Sequence, residues 1–221
     1  MLLYNIMTTF PLGEADYYSI LAKDSMFFYN TTYNVKQFMG TTNNLIEGHP
    51  NYKIPFAPII NGAAASQAQK DVADTITLIN GLQHSSTYKG KLVNVITIIN
   101  NIDLNIILTN NSPTPNIINI YKINGNLTMS IPTTQIDIGA STVCIFIANN
   151  IISISTSPIT ITHILPTNLI FISLANIEIE RNISGIYIAN NELKVTGSNI
   201  TGRIISQNNR VIVNGATITP P

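Results

Sequence analysis

From about residue 83 to the C-terminus, β-branched residues recur at every second position in short runs separated by turn-forming residues. Ile152-Ser153-Ile154-Ser155, Ile159-Thr160-Ile161-Thr162, Ile177-Glu178-Ile179-Glu180, Ile186-Tyr187-Ile188 and Val211-Ile212-Val213 are such runs. Alternation of this kind sends one row of side chains inward and the next outward along a strand. Between the runs lie Asn149-Asn150, Ser157-Pro158, Asn190-Asn191, Gly197-Ser198-Asn199, Asn208-Asn209 and Asn214-Gly215. Short strands with closely spaced turns fit a sandwich, a barrel or a β-helix. Asparagine at so many corners favours the β-helix, because it is the non-glycine residue that best tolerates left-handed backbone. Ile and Val then stack inside successive coils that cannot bury their faces alone. A Greek-key sandwich satisfies the same pattern.

One segment breaks the period. Ala65, Ala68, Val72, Ile76 and Ile79 recur at steps of three and four, which predicts a helix over residues 63–80. Gly81 is placed for a left-handed C-cap, and Gln67, Lys70, Asp71 and Asp74 are expected to face water. A narrow, alanine-rich stripe on a lone helix needs a flat wall to lie against. The expected organisation is an N-terminal arm over residues 1–10 and one domain over residues 11–221. That is a usual length for a single all-β domain.

Composition excludes several function classes. Charged residues are only 10% of the 221, and eleven basic side chains balance eleven acidic ones. No basic stripe exists to bind nucleic acid or an anionic membrane. Uninterrupted apolar stretches are too short to span a bilayer, so no membrane insertion is expected. The first residues lack a basic n-region and a small-residue cleavage site, so no secretory leader is visible. With Cys144 the only cysteine, no intrachain disulfide or thiolate metal site is possible, and its apolar run predicts a buried thiol. His49, His84 and His163 have no ligand spacing. Asp71 with Asp74 reads as a solvated helix turn, and Glu178 with Glu180 beside Arg181 as a surface charge cluster. No catalysis and no cofactor are expected. Asn30-Thr31-Thr32, Asn126-Leu127-Thr128, Asn182-Ile183-Ser184 and Asn199-Ile200-Thr201 read as glycosylation sequons, which arise by chance in an asparagine-rich chain.

Five segments together resemble the ice-binding proteins. They are Leu12-Gly13-Glu14-Ala15-Asp16-Tyr17-Tyr18-Ser19-Ile20-Leu21-Ala22, the helix Ala65-Ser66-Gln67-Ala68-Gln69-Lys70-Asp71-Val72, the stretch from Pro115 to Lys122, Val143-Cys144-Ile145-Phe146-Ile147, and the closing Gly202-Arg203-Ile204-Ile205-Ser206 with Val211 to Pro220. The resemblance covers about residues 10–221. It implies a mainly β, right-handed β-solenoid with one long α-helix packed alongside. The family's usual Trp near Asn168-Leu169-Ile170-Phe171 is missing, as the chain has no Trp.

Such a scaffold presents contact area rather than reactive groups. The leading expectation is a structural or adhesive module that assembles with copies of itself or with other coat proteins, on a particle or cell surface assembled from the cytoplasm. The assembly arm is Leu2, Leu3, Tyr4 and Ile6. The alternative is adsorption to ice through a flat face of hydroxyl- and methyl-bearing residues with restricted χ1. Candidates for that face are Ser153, Ser155, Thr160, Thr162, Thr217 and Thr219, with Thr128 and Ser130 as a further pair.

Overall fold

The computed structural model describes residues 10–29, 38–43, 45–48, 61–103, 116–130, 136–137, 143–155, 161–162, 165–219 and 221. After a 3-10 turn at Gly13–Tyr17 come β1 (Tyr18–Ala22), β2 (Ser25–Tyr29), β3 (Phe38–Thr41) and β4 (Leu45–Gly48), then the helix α1 (Ala63–Gly81). Strands β5 (Thr87–Tyr88), β6 (Lys91–Ile98), β7 (Ile102–Asp103), β8 (Ile117–Ile123), β9 (Leu127–Met129) and β10 (Ile136–Asp137) follow. Next are β11 (Val143–Ala148), β12 (Ile152–Ile154), β13 (Ile161–Thr162) and β14 (Leu169–Ser173). The last are β15 (Ile177–Ile179), β16 (Ile183–Ala189), β17 (Leu193–Thr196), β18 (Asn199–Ser206), β19 (Val211–Asn214) and β20 (Thr217–Thr219).

Apart from the β5–β6 hairpin, these strands pair in parallel with a strand from a neighbouring turn of the chain. One sheet runs β3-β1-β18-β16-β14-β11-β8-β6-β5, and a second runs β4-β2-β19-β17-β15-β12-β9-β7. A third side is built from the β10–β13 pair and, further along, from the opening residues of β16 and β18 beside β20. A chain that visits three sides and returns one strand further on is a β-solenoid. Parallel pairing rules out the Greek-key sandwich, whose sheets are antiparallel.

The stack is not in chain order. Ile20 of β1 lies in register with Ile204 of β18, so the N-terminal strands sit on the last C-terminal coil. The helix then carries the chain back. It begins where the Gly62 N–H donates to the Thr41 carbonyl on β3, and ends near β6. Its 19 residues span about 28 Å, most of the roughly 34 Å that eight strands occupy at their usual spacing.

Two clusters hold this arrangement. Inside the solenoid, Tyr121, Phe146, Phe171 and Tyr187 occupy successive coils with ring centroids 4.9, 5.3 and 5.1 Å apart. Outside the first sheet, Ile147, Ile172, Ile188, Ile205 and Leu21 meet Ala65, Ala68, Val72 and Ile79 of the helix. That sheet is covered on both faces, which is why β11 is buried from end to end and reads as a continuous apolar run. Strands of the second sheet are covered on one face, and β12 keeps its alternation. Phe10, Leu12 and Ala15 join the helix on the first sheet, with Phe10 stacked on Tyr88 at 5.1 Å.

Three expectations need correction. The asparagine corners are, with one exception, not left-handed: among the described residues Asn116, before β8, is the one asparagine with positive φ, and the other non-glycine cases are Ser85 and Lys89. The asparagines work through their side chains, linking one coil to the next. Asn101 Oδ1 accepts from the Asn126 N–H at 2.7 Å, Asn126 Oδ1 from the Ile151 N–H at 3.3 Å, and Asn176 Oδ1 from the Glu192 N–H at 3.2 Å. Gly81 is not a left-handed cap either. It stays helical, and the Leu82 N–H returns to the Ile79 carbonyl at 3.2 Å. Asp71 does not simply face water, because its Oδ2 accepts the Glu14 N–H at 2.7 Å and ties the N-terminal turn to the helix.

Candidate functional site

Coil length decides where the outward residues stand. Val95, Ile120, Ile145 and Ile170 are register partners 25 residues apart, whereas Ile170 to Ile186 is 16 and Ile186 to Arg203 is 17. The surplus in the long coils falls between the second sheet and the next strand of the first, on the third side. From β14 onward the coils are short, and the third side becomes a regular strip.

The second sheet is the longer regular surface left open, since the helix covers the first. Its central row reads Asp103, Thr128, Ser153, Glu178, Lys194, Ile212 and Phe27 across successive coils, and Glu47 of β4 holds the next register position. A parallel row carries Ser130, Ser155, Glu180, Thr196, Asn214 and Tyr29. At one end, therefore, Thr128, Ser130, Ser153 and Ser155 form an uncharged hydroxyl block, anchored where the Ser130 Oγ donates to Asp103 Oδ2 at 3.1 Å. Glu178, Glu180 and Lys194 occupy the middle. Ile212 and Phe27 follow, with Arg210 lying 5.9 Å over the Phe27 ring while its Nε donates to Glu192 at 2.6 Å.

On the short-coil strip, Asn182 precedes β16, Asn199 opens β18 and Thr217 opens β20. Asn199 pairs with Thr217, and the Asn199 N–H donates to Asn182 Oδ1 at 2.6 Å. Two residues on in each coil stand Ser184, Thr201 and Thr219, again register partners. Ile183, Ile200 and Ile218 between them point inward and are buried. The result is two rows of three outward residues, none of them charged. Gly185 and Gly202 turn the chain from this strip onto the first sheet at φ 154° and 155°. A Cβ on Gly202 would lie 1.7 Å from the Gly185 carbonyl oxygen, so only glycine lets adjacent coils approach this closely.

The structure thus divides the residues expected to form one face. Ser153 and Ser155 stand on the second sheet, and Thr217 and Thr219 on the third side. Thr162 lies in β13, in register with Asp137. Thr160 and the arm residues Leu2, Leu3, Tyr4 and Ile6 fall outside the described residues. Asn182, Ser184, Asn199 and Thr201 were not among the candidates. The signal was present: Asn-Ile-Ser, Asn-Ile-Thr and Thr-Ile-Thr begin at 182, 199 and 217, one short coil apart.

Nothing among the described residues gathers for catalysis. No three His, Cys, Asp or Glu side chains converge as for a metal. Glu178 and Glu180 stand exposed on an open strand. Burial pushes the Cys144 thiol up to about 12, and a nucleophile needs the opposite shift. Arg203, 5% exposed, donates to the Asp16 carbonyl at 2.9 Å and lies 3.7 Å from its carboxylate. Burial raises the Asp16 carboxyl despite that cation and lowers Arg203. The pair pins the N-terminal turn to β18 beneath the helix. No helix among the described residues is long and apolar enough to cross a membrane.

No family model and no curated protein matches the chain. Solved structures do. An ice-binding protein from an Antarctic biological consortium is similar over 100% of this chain and 95% of its own, at 16% identity and a TM-score of 0.71. One from the Antarctic ascomycete Antarctomyces psychrotrophicus is similar over 95% and 97%, at 21% identity and 0.66. A third, from an Arctic yeast and described for its antifreeze activity, is similar over 96% and 94%, at 16% identity and 0.68. The solenoid, the displaced N-terminal coils and the returning helix are together the fold of the ice-binding proteins.

Proposed function

We propose that the chain is a non-catalytic ice-binding protein that adsorbs through the short-coil strip of Asn182, Ser184, Asn199, Thr201, Thr217 and Thr219. The observation that carries this reading is that the strip is regular and free of charge. Parallel coils repeat at about 4.8 Å and alternate residues at about 6.6 Å, distances of the size of the oxygen repeats in ice. Hydroxyls, amides and methyls at those spacings order water into a lattice-like layer. A carboxylate or ammonium standing in the plane keeps its own hydration and breaks that layer. Glu178 and Lys194 do this in the middle of the second sheet, which is why the shorter strip is preferred to the longer face. Solved structures similar to this chain are ice-binding proteins, and they favour this reading over a coat or appendage subunit, for which they offer no support.

Thermal hysteresis and ice-recrystallisation inhibition test the reading. The wild-type chain should be active at micromolar concentration, and Thr201→Lys should abolish most of that activity with folding intact. Ser153→Lys should leave it unchanged. An inactive wild type ends the ice reading, and the reverse pattern of the two variants moves the adsorbing surface to the hydroxyl block on the second sheet.

A further inference from the structure

We propose that Arg203 is a positioning residue for the adsorbing strip, holding its middle coil level with the coils on either side by way of the N-terminal turn. The proposal rests on the reading that this strip is what meets ice. Thr201, Gly202 and Arg203 are consecutive, and Gly202 is the joint at which β18 leaves the strip for the first sheet, at φ 155°. A backbone without Cβ is the least restricted of any at such a joint, so the level of Asn199 and Thr201 has to be set from outside it. β18 sets that level for the whole strip, because β16 and β20 both pair with it and β20 pairs with no other strand among the described residues. On β16 the residue after the glycine is Ile186, packed into the apolar cluster under the helix. On β18 it is Arg203.

Arg203 is the one charged side chain that is buried among the described residues. Its Nη2 donates to the Asp16 carbonyl oxygen at 2.9 Å and stands 3.7 Å from Asp16 Oδ1, beyond hydrogen-bond reach. Asp16 is itself held. Its Oδ2 accepts the Leu12 N–H at 3.0 Å, and the same turn is tied to the helix where Asp71 accepts the Glu14 N–H and the Thr75 hydroxyl donates to the Pro11 carbonyl at 2.9 Å. The guanidinium therefore links β18 to a turn fastened to α1. As a stabiliser the pair is poor. Arg203 Nε and Nη1 and Asp16 Oδ1 are buried with no protein hydrogen bond, as is the hydroxyl of Ser19, which precedes Ile20 as Arg203 precedes its partner Ile204. Desolvation outweighs the attraction of Arg203 at the Asp16 carboxyl, which sits above its ordinary value. Apolar packing in place of such a pair is often neutral or stabilising. What apolar packing lacks is direction: a guanidinium bonded to a fixed carbonyl sets an angle, whereas dispersion contacts tolerate rotation. That angle is the reason for a buried cation one residue from the joint of the strip.

The double variant Asp16→Asn/Arg203→Met tests the proposal, because it removes cation and carboxylate together and leaves no unpaired charge behind. Its urea midpoint should stay close to that of the wild type. Amide hydrogen exchange at Thr201 and Thr219 should nevertheless speed up by about tenfold or more, while exchange at Thr128 and Ser153 on the second sheet is unchanged. Thermal hysteresis should fall along with protection in the strip. Arg203→Lys keeps a cation able to donate to the Asp16 carbonyl, and should retain more hysteresis than the double variant. A double variant that melts early would make the pair merely structural, and one with wild-type exchange in the strip would show that Arg203 positions nothing. Either result overturns the proposal, as does an Arg203→Lys chain no more active than the double variant. A wild type without hysteresis, whose strip amides still respond to the double variant, ends the ice reading and upholds the positioning role.

Discussion

Replacing Phe146 by Ala tests whether the ring column inside the solenoid carries its stability. Phe146 is fully buried and stacked on both sides, 4.9 Å and 9° from Tyr121 and 5.3 Å and 16° from Phe171. Removing a buried phenyl group usually costs about 3–5 kcal/mol, including the cavity it leaves. Two lost ring contacts, each about 0.5–1.5 kcal/mol beyond area burial, place this site at the upper end, about 4–5 kcal/mol. Parallel strands above and below are held by their hydrogen bonds and cannot collapse into the space. A domain of this kind has about 5–15 kcal/mol in all, so the variant should fold but melt early. At a urea slope of about 3 kcal/mol per molar, the midpoint should fall by about 1.5 M with the slope unchanged. Phe27→Ala is the internal comparison. That ring is on the outside of the second sheet, under Arg210, and its loss should cost about 1 kcal/mol. If Phe146→Ala cost no more than Phe27→Ala, the column would be filler and the packing argument would fail.

Gly202→Ala should destabilise by at least about 3 kcal/mol, since a methyl group meets the Gly185 carbonyl in a left-handed backbone, whereas Gly81→Ala, with open space at a helical position, should stabilise by about 0.5–1 kcal/mol in the same chemical melts. Burial holds the folded Asp16 carboxyl above 3.8. The native chain therefore keeps a proton that the unfolded chain has released, and this contribution is complete at low pH and lost as pH rises through the folded value. Measured against Asp16→Asn, the wild type should lose relative stability as the pH rises above 3.8; a relative gain would show that Arg203 outweighs desolvation.

The solenoid and its helix were legible because both rest on periodicity. Ile152-Ser153-Ile154 alternates because one face of β12 is covered, and the run from Val143 to Ala148 does not because both faces of β11 are. The helix stripe appeared as expected, with Gln69 and Thr75 as buried additions that bond to the Ser206 and Pro11 carbonyls. The asparagine corners were identified for the wrong reason. Propensity tables record backbone tolerance, while these side chains bond to the next coil, a partner many residues away. Assigning outward residues to a common side failed because it requires the coil length, which changes from 25 residues to 16 after β14. Ser153 and Thr217 are alike in local sequence, and only that change of phase separates them.

Because the first strand closes onto the last coil and the helix joins the two ends, this stack is a ring in the topological sense rather than a ladder with free rungs. An ordinary repeat array loosens from its tips, one unit at a time. Here the N-terminal coils cover the C-terminal one, so peeling them away also strips the helix and Phe10 from the sheet beneath. Melting should therefore be a concerted event. For the same reason a coil cannot be added or deleted without resizing the helix that spans the whole.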